Sequence, residues 1–375
     1  MKNRIGIVGG GQLGRMLTFA AKRLGFTVNI LDPTNNSPAG QVADHQIVGD
    51  FKDEDAIRKL AKISDYLTFE IELANADILD ELEKSGVKVN PSAKTLNIIK
   101  DKLNQKKFLR LNDIPVAPFL EVKNKDEILK AIKKFGYPIL LKARFDAYDG
   151  RGNALIRNSS EIEKCLEKLR GRLLYVEKYV PFNGELAVMV ARNTKSEIKA
   201  YPVVETIHKN NICHTVLAPA PIDKRIADKT KDIAIKVIKY LKGAGVFGIE
   251  LFYTKDGNVL VNEIAPRVHN SGHYSIEACI TDQFEQHVRA ITGMPLGSTD
   301  MIVPVAVMVN LLGERNGSSS LKGLEKALSI PNVSIHIYGK HETRVERKMG
   351  HITAVGKTLE QVQNIAMLAR KYITV

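Results

Sequence analysis

The sequence predicts an α/β protein that begins with a parallel β-sheet and continues into a mixed, partly antiparallel sheet. An apolar run at Arg4–Val8, helical apolar spacing over Gln12–Leu24 and a second apolar run at Thr27–Leu31 form the pattern of a βαβ unit, in which the strands are parallel. Farther along, strands follow one another directly: Glu185–Arg192, Ile198–Glu205 and Ile212–Leu217. The length of 375 residues exceeds an ordinary domain of roughly 100 to 200 residues and predicts two or three domains.

The elements between these two regions follow from the same periodicities. The first unit should continue with a strand at Asp65–Phe69 and a helix from about Ala74 to Lys84, and the stretch "VNPS" (89–92) marks its end. A helix begins at Asp101 and must end before "IPVAP", because the two prolines there cannot continue it. A compact α/β pattern then follows: strand Phe119–Val122, helix Lys125–Phe135, strand Pro138–Lys142, helix Ser160–Leu169 and strand Leu173–Glu177.

A long helix comes after the consecutive strands, with Asp223 as its N-cap and Gly243 at its end. Its apolar face is formed by Ile226, Ile233, Val237, Ile238 and Leu241. The strands Val246–Tyr253 and Val259–Ile264 are joined by the hairpin turn "TKDGN". A helical stretch runs from about Ser275 to Ile291, and a smaller C-terminal α/β unit containing the loop "GERNGSSS" begins near Pro295.

Composition and charge favour a cytoplasmic globular protein. The apolar runs are much shorter than the roughly 20 residues needed to span a membrane, and the N-terminus shows no signal-peptide pattern. The cysteines form no CxxC pair, so neither a disulfide framework nor a zinc site is indicated. The 55 Lys and Arg exceed the 42 Asp and Glu, for a net charge of +13. Because the basic residues are spread along helix faces, a nucleic-acid-binding protein is the less favoured explanation, and we expect no nucleic acid or membrane as a partner.

The stretch "IGIVGGGQLGRML" resembles a dinucleotide-binding turn. Gly9, Gly11 and Gly14 satisfy G-x-G-x-x-G between a strand and a helix, and Asp32 ends the next strand. Glycines let the backbone approach a phosphate, the helix N-terminus favours its charge, and the acid binds a ribose hydroxyl. The turn therefore predicts either a nicotinamide or flavin enzyme or a tight strand-to-helix turn that binds something else.

The hairpin and the residues after it carry a second set of polar groups. Glu250 and Glu263 lie on its two strands, and pairing across the turn decides whether they share a face. If they do, the two carboxylates with Asn262 beside them suit Mg²⁺ that carries nucleotide phosphates; two surface acids are the alternative, which the apolar surroundings disfavour. The polar cluster that follows could bind a small planar anion through charge-assisted hydrogen bonds: Arg267, His269, Asn270 and His273.

Two strand ends complete the candidate residues. Lys142 ends an apolar strand and must reach either water or an anion, and Gly150 and Gly152 follow it in a loop that could fold over phosphates. In "YVEKYVPFNGE", the backbone at the strand end could bind adenine and a carboxylate could bind ribose hydroxyls.

In this order, these stretches resemble the ATP-grasp superfamily of carboxylate–amine ligases and, within it, the 5-(carboxyamino)imidazole ribonucleotide synthases of purine biosynthesis. The motifs that carry the resemblance are "GGGQLGRML", "DKLNQKKFL", "YDGRGN", "NEIAPRVHNSGH" and "RKMGHIT". The resemblance implies a mixed α/β ATP-grasp fold with a Rossmann-like pre-ATP-grasp domain (residues 1–100). An ATP-grasp domain (101–294) with a lid subdomain (about 116–180) would follow, and a C-terminal domain (295–375) would complete the acceptor site.

The resemblance also implies a role for each site residue. The residues expected to bind ATP are Lys102, Lys142, Gly150, Gly152, Glu177, Lys178, Val180, Glu185, His208, Asn262 and Glu263. Glu250 and Glu263 would hold two Mg²⁺ ions, for which Mn²⁺ can substitute. The residues expected around bicarbonate, carboxyphosphate and the acceptor's imidazole are Tyr148, Asp149, Arg267, His269 and Asn270. Those expected to contact the acceptor nucleotide are Gln12, Leu13, Lys340 and Arg347.

The implied reaction phosphorylates bicarbonate with ATP and delivers the carboxyl group of carboxyphosphate to the exocyclic amine of 5-aminoimidazole ribonucleotide. A homodimer is also implied. Another ATP-grasp ligase, such as a formate-dependent glycinamide ribonucleotide transformylase or a D-alanine ligase, is the alternative within the superfamily. A Rossmann NAD-dependent oxidoreductase, supported by the first turn and Asp32, is the alternative from a different class.

Overall fold

The structure, a computed structural model, describes residues 3–146 and 152–375. Its first elements are β1 Arg4–Val8, α1 Gln12–Arg23, β2 Thr27–Asp32, β3 His45–Val48, α2 Glu54–Lys62, β4 Tyr66–Phe69, α3 Ala76–Lys84, β5 Lys88–Val89 and α4 Ala93–Lys100. The strands form a parallel sheet in the order β3-β2-β1-β4-β5. The predicted βαβ unit is confirmed, whereas β3, α2, β5 and α4 were not predicted from the sequence.

A small antiparallel subdomain follows α5 (Lys102–Leu111). Its elements are β6 Phe119–Val122, α6 Lys125–Phe135, β7 Ile139–Ala143, β8 Asn153–Ile156, α7 Ile162–Lys168 and β9 Leu174–Lys178. The strand order is β6-β9-β7-β8, with α6 and α7 packed over a separate apolar core. We call this subdomain the lid, and its strands β7 and β9 carry Lys142 and Glu177.

The rest of the chain is organised around a large antiparallel sheet. Its elements are β10 Gly184–Arg192, β11 Ile198–Ala200, β12 Val204–Lys209, β13 Ile212–Ala218, α8 Lys224–Leu241, β14 Gly245–Tyr253, β15 Val259–Ala265, α9 Ser275–Ala278, α10 Gln283–Thr292, β16 Val305–Leu312, β17 Gly317–Ser318, α11 Leu324–Leu328, β18 Val333–Ile337, β19 Glu342–Thr343, β20 Lys348–Gly356 and α12 Leu359–Tyr372. The sheet order is β15-β14-β10-β12-β13-β16-β20-β18, with β11 paired to β10. The C-terminal strands therefore extend the central sheet through the β13–β16 pairing.

Two predicted elements differ from the structure. The strand predicted at Ile198–Glu205 is two strands, because Pro202 lies between β11 and β12 and cannot donate a ladder hydrogen bond. The helix predicted at Ser275–Ile291 is broken into α9 and α10, and Asp282 caps α10 by accepting from the N–H groups of Phe284 and Glu285. The Asp223 cap of α8 is confirmed, since its carboxylate accepts from the N–H of Arg225.

The apolar cores tie the parts of the chain together. One core joins α1 and the first sheet to the central sheet and α10, while others fill the space behind β14 and β15 and below the C-terminal helices. Within the residues that the structure describes, no helix combines the length and the apolar character that a membrane span requires.

Candidate active site

A cleft of about 1440 Å³ is lined by the first sheet, the lid, the central sheet and the C-terminal segment. It brings together most of the predicted site residues: Gln12, Leu13, Lys102, Lys142, Glu177, Glu185, His208, Glu250, Asn262, Glu263, Arg267, His269, Asn270, Lys340 and Arg347. Other predicted residues lie beside it: Lys178 and Val180 flank the lining residue Tyr179, and Gly152 precedes Asn153. Tyr148, Asp149 and Gly150 lie outside the described residues.

Glu250 and Glu263 face each other on the paired strands β14 and β15. They are direct partners in the register, whereas the next pair is Leu251 and Val261. Asn262 is therefore the extra residue of a β-bulge, a feature that redirects side chains, and it lines the cleft with both carboxylates. Burial, and then the charge of Glu263, raises the pKa of Glu250 to about 7. Two partly exposed carboxylates that repel each other in a cleft suit a hard divalent cation such as Mg²⁺.

Lys102 places a positive charge next to this carboxylate pair. Its Nζ lies 2.6 Å from Glu263 Oε1. Burial alone would raise the pKa of Glu263, but Lys102 and other nearby cations lower it overall. Asp101 places Lys102 at the start of α5 by capping this helix. The described residues contain no cluster of three or more His, Cys, Asp or Glu side chains suited to a metal, so Mg²⁺ here would take further oxygen ligands from phosphate and water.

Lys142 and Glu177 meet across the lid strands β7 and β9. In the register, Leu140 pairs with Glu177 and Lys142 with Tyr175, so the two charged residues are diagonal neighbours on one face. Lys142 Nζ lies 3.4 Å from Glu177 Oε2, and Lys106 Nζ lies 3.4 Å from Oε1. Burial alone would raise the pKa of Glu177, but the two ammonium groups lower it overall. Lys106 was not predicted as a site residue, although its i+4 spacing from Lys102 places both on one helix face.

Glu185 lies beside an apolar wall of the cleft. Phe252 is its partner on β14, and the ring of Phe252 stacks on that of Phe182 with centroids 4.6 Å apart. His208 Nδ1 lies 3.3 Å from Glu185 Oε2. Burial raises the pKa of Glu185, against the charge of His208. Flat apolar rings next to a hydrogen-bonding carboxylate can accommodate a nucleoside.

Arg267 projects toward the first sheet, where Glu72 holds it in place. Arg267 Nη2 lies 2.9 Å from Glu72 Oε1 and also donates to Oε2 at 3.3 Å. Its Nε is buried and has no hydrogen-bond partner within the described part of the chain. A fixed guanidinium with a free N–H in a cleft is suited to a small planar anion.

His269 and Asn270 are positioned by neighbours that the sequence analysis did not identify. His269 Nδ1 and Ser271 Oγ lie 2.9 Å apart, and His269 Nε2 lies 3.6 Å from Glu250 Oε1. Burial, and then the charge of Arg267, lowers the pKa of His269 well below its usual range. Asn270 and Asn310 exchange side-chain amide hydrogen bonds of 2.6 and 3.0 Å.

The glycine turn after β1 already binds carboxylates of the protein itself. Glu70, which follows β4, accepts hydrogen bonds from the N–H groups of Gly11 and Gly14, and Asp32 accepts from Gly10 N at 2.8 Å. A Cβ at Gly9, where φ is +105°, would lie 2.5 Å from the Glu70 side chain. Burial raises the pKa of Glu70 to about 7. The amides that a dinucleotide pyrophosphate would need are thus used internally.

The predicted acceptor phosphate site is formed by the segment between β18 and β20. Lys340 Nζ donates to the carbonyl of Lys348 at 2.7 Å, and burial followed by the charge of Arg347 lowers the pKa of Lys340 to about 7. The first sheet contacts this segment, because Gln41 Nε2 donates to Gly339 O at 2.8 Å. The glycine turn and the C-terminal cations therefore line the same part of the cleft.

The sequence matches three domain families in the order of the structure. These are the ribonucleotide synthetase preATP-grasp domain over residues 1–100, the ATP-grasp domain over 107–284 and the phosphoribosylaminoimidazole carboxylase C-terminal domain over 306–365. The chain is 46% identical to a phosphoribosylaminoimidazole carboxylase of Ogataea methanolica, over 95% of this chain and 67% of that protein. The chain spans 64% to 67% of the length of the carboxylases that it matches.

Shorter relatives match along nearly their whole length. An N5-carboxyaminoimidazole ribonucleotide synthase of Bacillus subtilis is 41% identical over 93% of this chain and 90% of its own length. A crystal structure of the Thermotoga maritima synthetase is similar with a TM-score of 0.91 and 48% identity, covering 99% of both chains. A structure of the Aspergillus clavatus enzyme in complex with ADP and 5-aminoimidazole ribonucleotide has a TM-score of 0.92 and 39% identity, over 99% of this chain and 98% of that one.

Proposed function

The chain belongs to the N5-carboxyaminoimidazole ribonucleotide synthase family, and from this premise we propose the reaction that it catalyses. It carboxylates 5-aminoimidazole ribonucleotide with bicarbonate and ATP, and it releases N5-carboxyaminoimidazole ribonucleotide, ADP and phosphate. This activity is that of the relatives whose length the chain covers almost completely.

The observation that carries the proposal is one cleft with two cationic ends and Arg267 between them. Lys102 and Lys142 lie with the carboxylate pair at one end, and Lys340 lies at the other. Arg267 interacts electrostatically with Glu250 at the first end and with Glu70 toward the second. Glu70 in turn interacts with Lys340. The cleft therefore suits two phosphorylated substrates and a small anion.

At the nucleotide end, the protein positions the triphosphate and neutralises its charge. Lys102 and Lys142 bind phosphate oxygens, Glu185 accepts from the ribose, and the aromatic wall contacts the base. Glu250 and Glu263 would hold Mg²⁺, with Asn262 as a neutral oxygen ligand; when bound, the ion neutralises charge on the transferred phosphoryl group. As in other phosphoryl transfers, catalysis here consists of positioning and electrostatic stabilisation.

At the centre of the cleft, the residues orient bicarbonate and its phosphorylated product. A bicarbonate oxygen attacks the γ-phosphorus, and ADP leaves. The C–O bond of carboxyphosphate then breaks to give CO₂ and phosphate, the acceptor amine attacks the CO₂ carbon, and the amine proton passes to phosphate. Arg267 binds the anion through its free N–H, Asn270 presents its amide, and His269 remains neutral, so it offers a hydrogen bond without competing for the anion's charge.

A substrate-omission assay tests this function. The purified protein should release ADP with ATP, Mg²⁺, bicarbonate and 5-aminoimidazole ribonucleotide, and omission of any of them should reduce product formation to background. Turnover of formate with glycinamide ribonucleotide would favour another ATP-grasp ligase. Thermal stabilisation by NAD but not by Mg-ATP would refute the proposal.

We also propose that the protein is a homodimer. Large apolar side chains are exposed near the contact between α1 and α10: Phe19 is 51%, Ile280 62% and Ile302 63% exposed. They belong to neighbouring segments, because Arg23, one turn after Phe19 on α1, bonds Asp282, which lies two residues after Ile280. The N–H of Ile302 donates to the carbonyl of Ala278 in the same region. Phe19→Glu should convert a dimer to a monomer in sedimentation velocity, whereas a wild-type monomer at micromolar concentration would refute the assignment.

A further inference from the structure

Lys106 is a buried ammonium group next to the nucleotide end of the cleft, and nothing in the proposed reaction yet uses it. Its side chain is 2% exposed, as is that of its carboxylate partner Glu177. It lies one helical turn after Lys102 on α5, and it also donates to the carbonyl of Val261 at 3.1 Å. Burial lowers the pKa of Lys106 to about 8, against the attraction of Glu177. A group buried this completely needs a partner that keeps its charge.

Glu177 is shared evenly between two lysines. Lys106 approaches Oε1 and Lys142 approaches Oε2, each at 3.4 Å. The two lysines differ in access: Lys142 lines the cleft and its side chain is 10% exposed, whereas Lys106 is enclosed between α5, β9 and β15. Of these two ammonium groups, the one on Lys142 can therefore turn toward a nucleotide in the cleft, whereas the one on Lys106 cannot.

This difference matters when ATP binds. If Lys142 turns from Glu177 to a phosphate, the buried carboxylate loses one of its two cations. Removal of the last partner of a buried charge is strongly unfavourable, so Lys142 alone would be held at Glu177. The ammonium of Lys106 keeps the carboxylate paired and so lowers the free-energy cost of moving Lys142 from Glu177 to the phosphate.

We propose that Lys106 is a positioning residue for the nucleotide: it stays paired with Glu177 and so allows Lys142 to bind the triphosphate. The inference rests on the proposed function, because it assumes that ATP enters this cleft. Lys106 itself contacts no substrate and acts through Glu177 and Lys142.

The dissociation constant of adenosine divided by that of ATP measures this role, and weaker ATP binding lowers this ratio. Adenosine binding does not need the Lys142–phosphate contact, whereas ATP binding does. Lys106→Met keeps an unbranched side chain and removes the charge, so Lys142 becomes the sole cation at Glu177. We expect ATP to bind at least tenfold more weakly, about 1.4 kcal/mol, with little change for adenosine. Lys107→Met is the matched control: Lys107 is the next residue on α5, with its side chain 41% exposed and paired with Glu121, and this variant should bind both ligands as the wild type does.

A double variant distinguishes positioning from a general structural effect. In Lys106→Met/Glu177→Gln, the neutral amide no longer retains Lys142, so the ratio should return toward the wild-type value. A purely structural role predicts that the double variant is as defective as Lys106→Met or worse, and this result would overturn the inference. So would an equal loss of adenosine and ATP binding in Lys106→Met.

Two measurements keep the test decisive. If circular dichroism shows that Lys106→Met is unfolded, Glu177→Gln alone is used: its ratio should be equal to or above that of the wild type, and a lower ratio overturns the inference. Nucleotide binding is measured by calorimetry without bicarbonate or acceptor, so failure of the carboxylation assay with normal ATP binding refutes the proposed reaction and leaves the role of Lys106 standing.

Discussion

Titration of Lys340 should control how acceptor binding depends on pH. Burial and the neighbouring Arg347 lower the pKa of Lys340 to about 7, while Glu70 opposes this shift. The proposed acceptor phosphate, with a second pKa of about 6, is a dianion above pH 7. As the pH rises through 7, Lys340 loses its proton and the phosphate loses a cationic partner. Affinity for the acceptor should therefore fall on the alkaline side.

The magnitude follows from a single linked proton. If the phosphate binds only to the ammonium form, the apparent dissociation constant is multiplied by the ratio of total to protonated Lys340. For a pKa of about 7, this factor increases roughly fifteenfold between pH 7 and pH 8.5, equivalent to about 1.6 kcal/mol. The Michaelis constant for 5-aminoimidazole ribonucleotide should rise accordingly, and that for ATP should change much less.

Lys340→Arg provides the control, because a guanidinium stays protonated over this range. Glu70, whose pKa is also raised to about 7, titrates in both proteins, so the difference between their pH profiles isolates Lys340. The arginine variant should lose little acceptor affinity between pH 7 and pH 8.5. Equally steep profiles for the two proteins would refute the reasoning. Lys340→Ala should raise the acceptor's Michaelis constant at every pH, and an unchanged constant would place the phosphate elsewhere.

Other substitutions test the carboxylate pair, the glycine turn and the domain contact. Glu263→Gln should abolish Mg²⁺-dependent ATP turnover with an unchanged circular dichroism spectrum, and normal turnover would contradict the metal assignment. Glu70→Ala should lower the free energy of unfolding in urea by about 2 kcal/mol, because buried turn amides lose their acceptor; Glu70→Gln should lose less, and equal losses would contradict this account. His287 Nε2 lies 2.9 Å from Thr68 Oγ1 on β4 of the first sheet, and its Nδ1 accepts from Val246 N. Burial lowers the pKa of His287 to about 3. Its stabilisation is therefore present above the unfolded pKa of about 6.5 and is lost as the pH falls toward 3. Between pH 6 and pH 4 the wild type should therefore lose about 2.5 kcal/mol more stability than His287→Gln, and parallel urea titrations would contradict this expectation.

Features set by neighbouring residues were accessible from the sequence. The βαβ unit, the Asp223 cap and the β14–β15 hairpin depend on local periodicity and turn chemistry, and the structure has each of them. The direct pairing of Glu250 with Glu263 was open, because it depends on the register. On the turn side of this pair, Leu251 pairs with Val261. The bulge skips Asn262, so the next residue, Glu250, pairs with Glu263 and the two carboxylates face each other.

Features set by distant pairing were not accessible. No local pattern shows that β16 pairs with β13, about ninety residues earlier, and places the C-terminal cations beside the cleft. Lys106 reads as one of many helix lysines until the structure places Glu177 from β9 against it. The same holds for Glu72, which becomes a partner of Arg267 only when the first sheet packs against the central one.

The glycine turn shows why a correct local motif gave an ambiguous ligand. Its glycines are needed because Glu70 approaches them closely. Asp32, the acid that the motif predicts to bind a ribose, instead accepts hydrogen bonds from the N–H groups of Gly10 and Thr34. Since β1 and β4 are adjacent and parallel, an acid directly after β4 lies beside the turn that follows β1. A carboxylate in this position occupies the amides that would otherwise bind a phosphate, so a substrate in this part of the cleft must be bound by side chains instead. In the proposed reaction, the turn would then supply only the adjoining Gln12 and Leu13, while the C-terminal cations would supply the phosphate contacts.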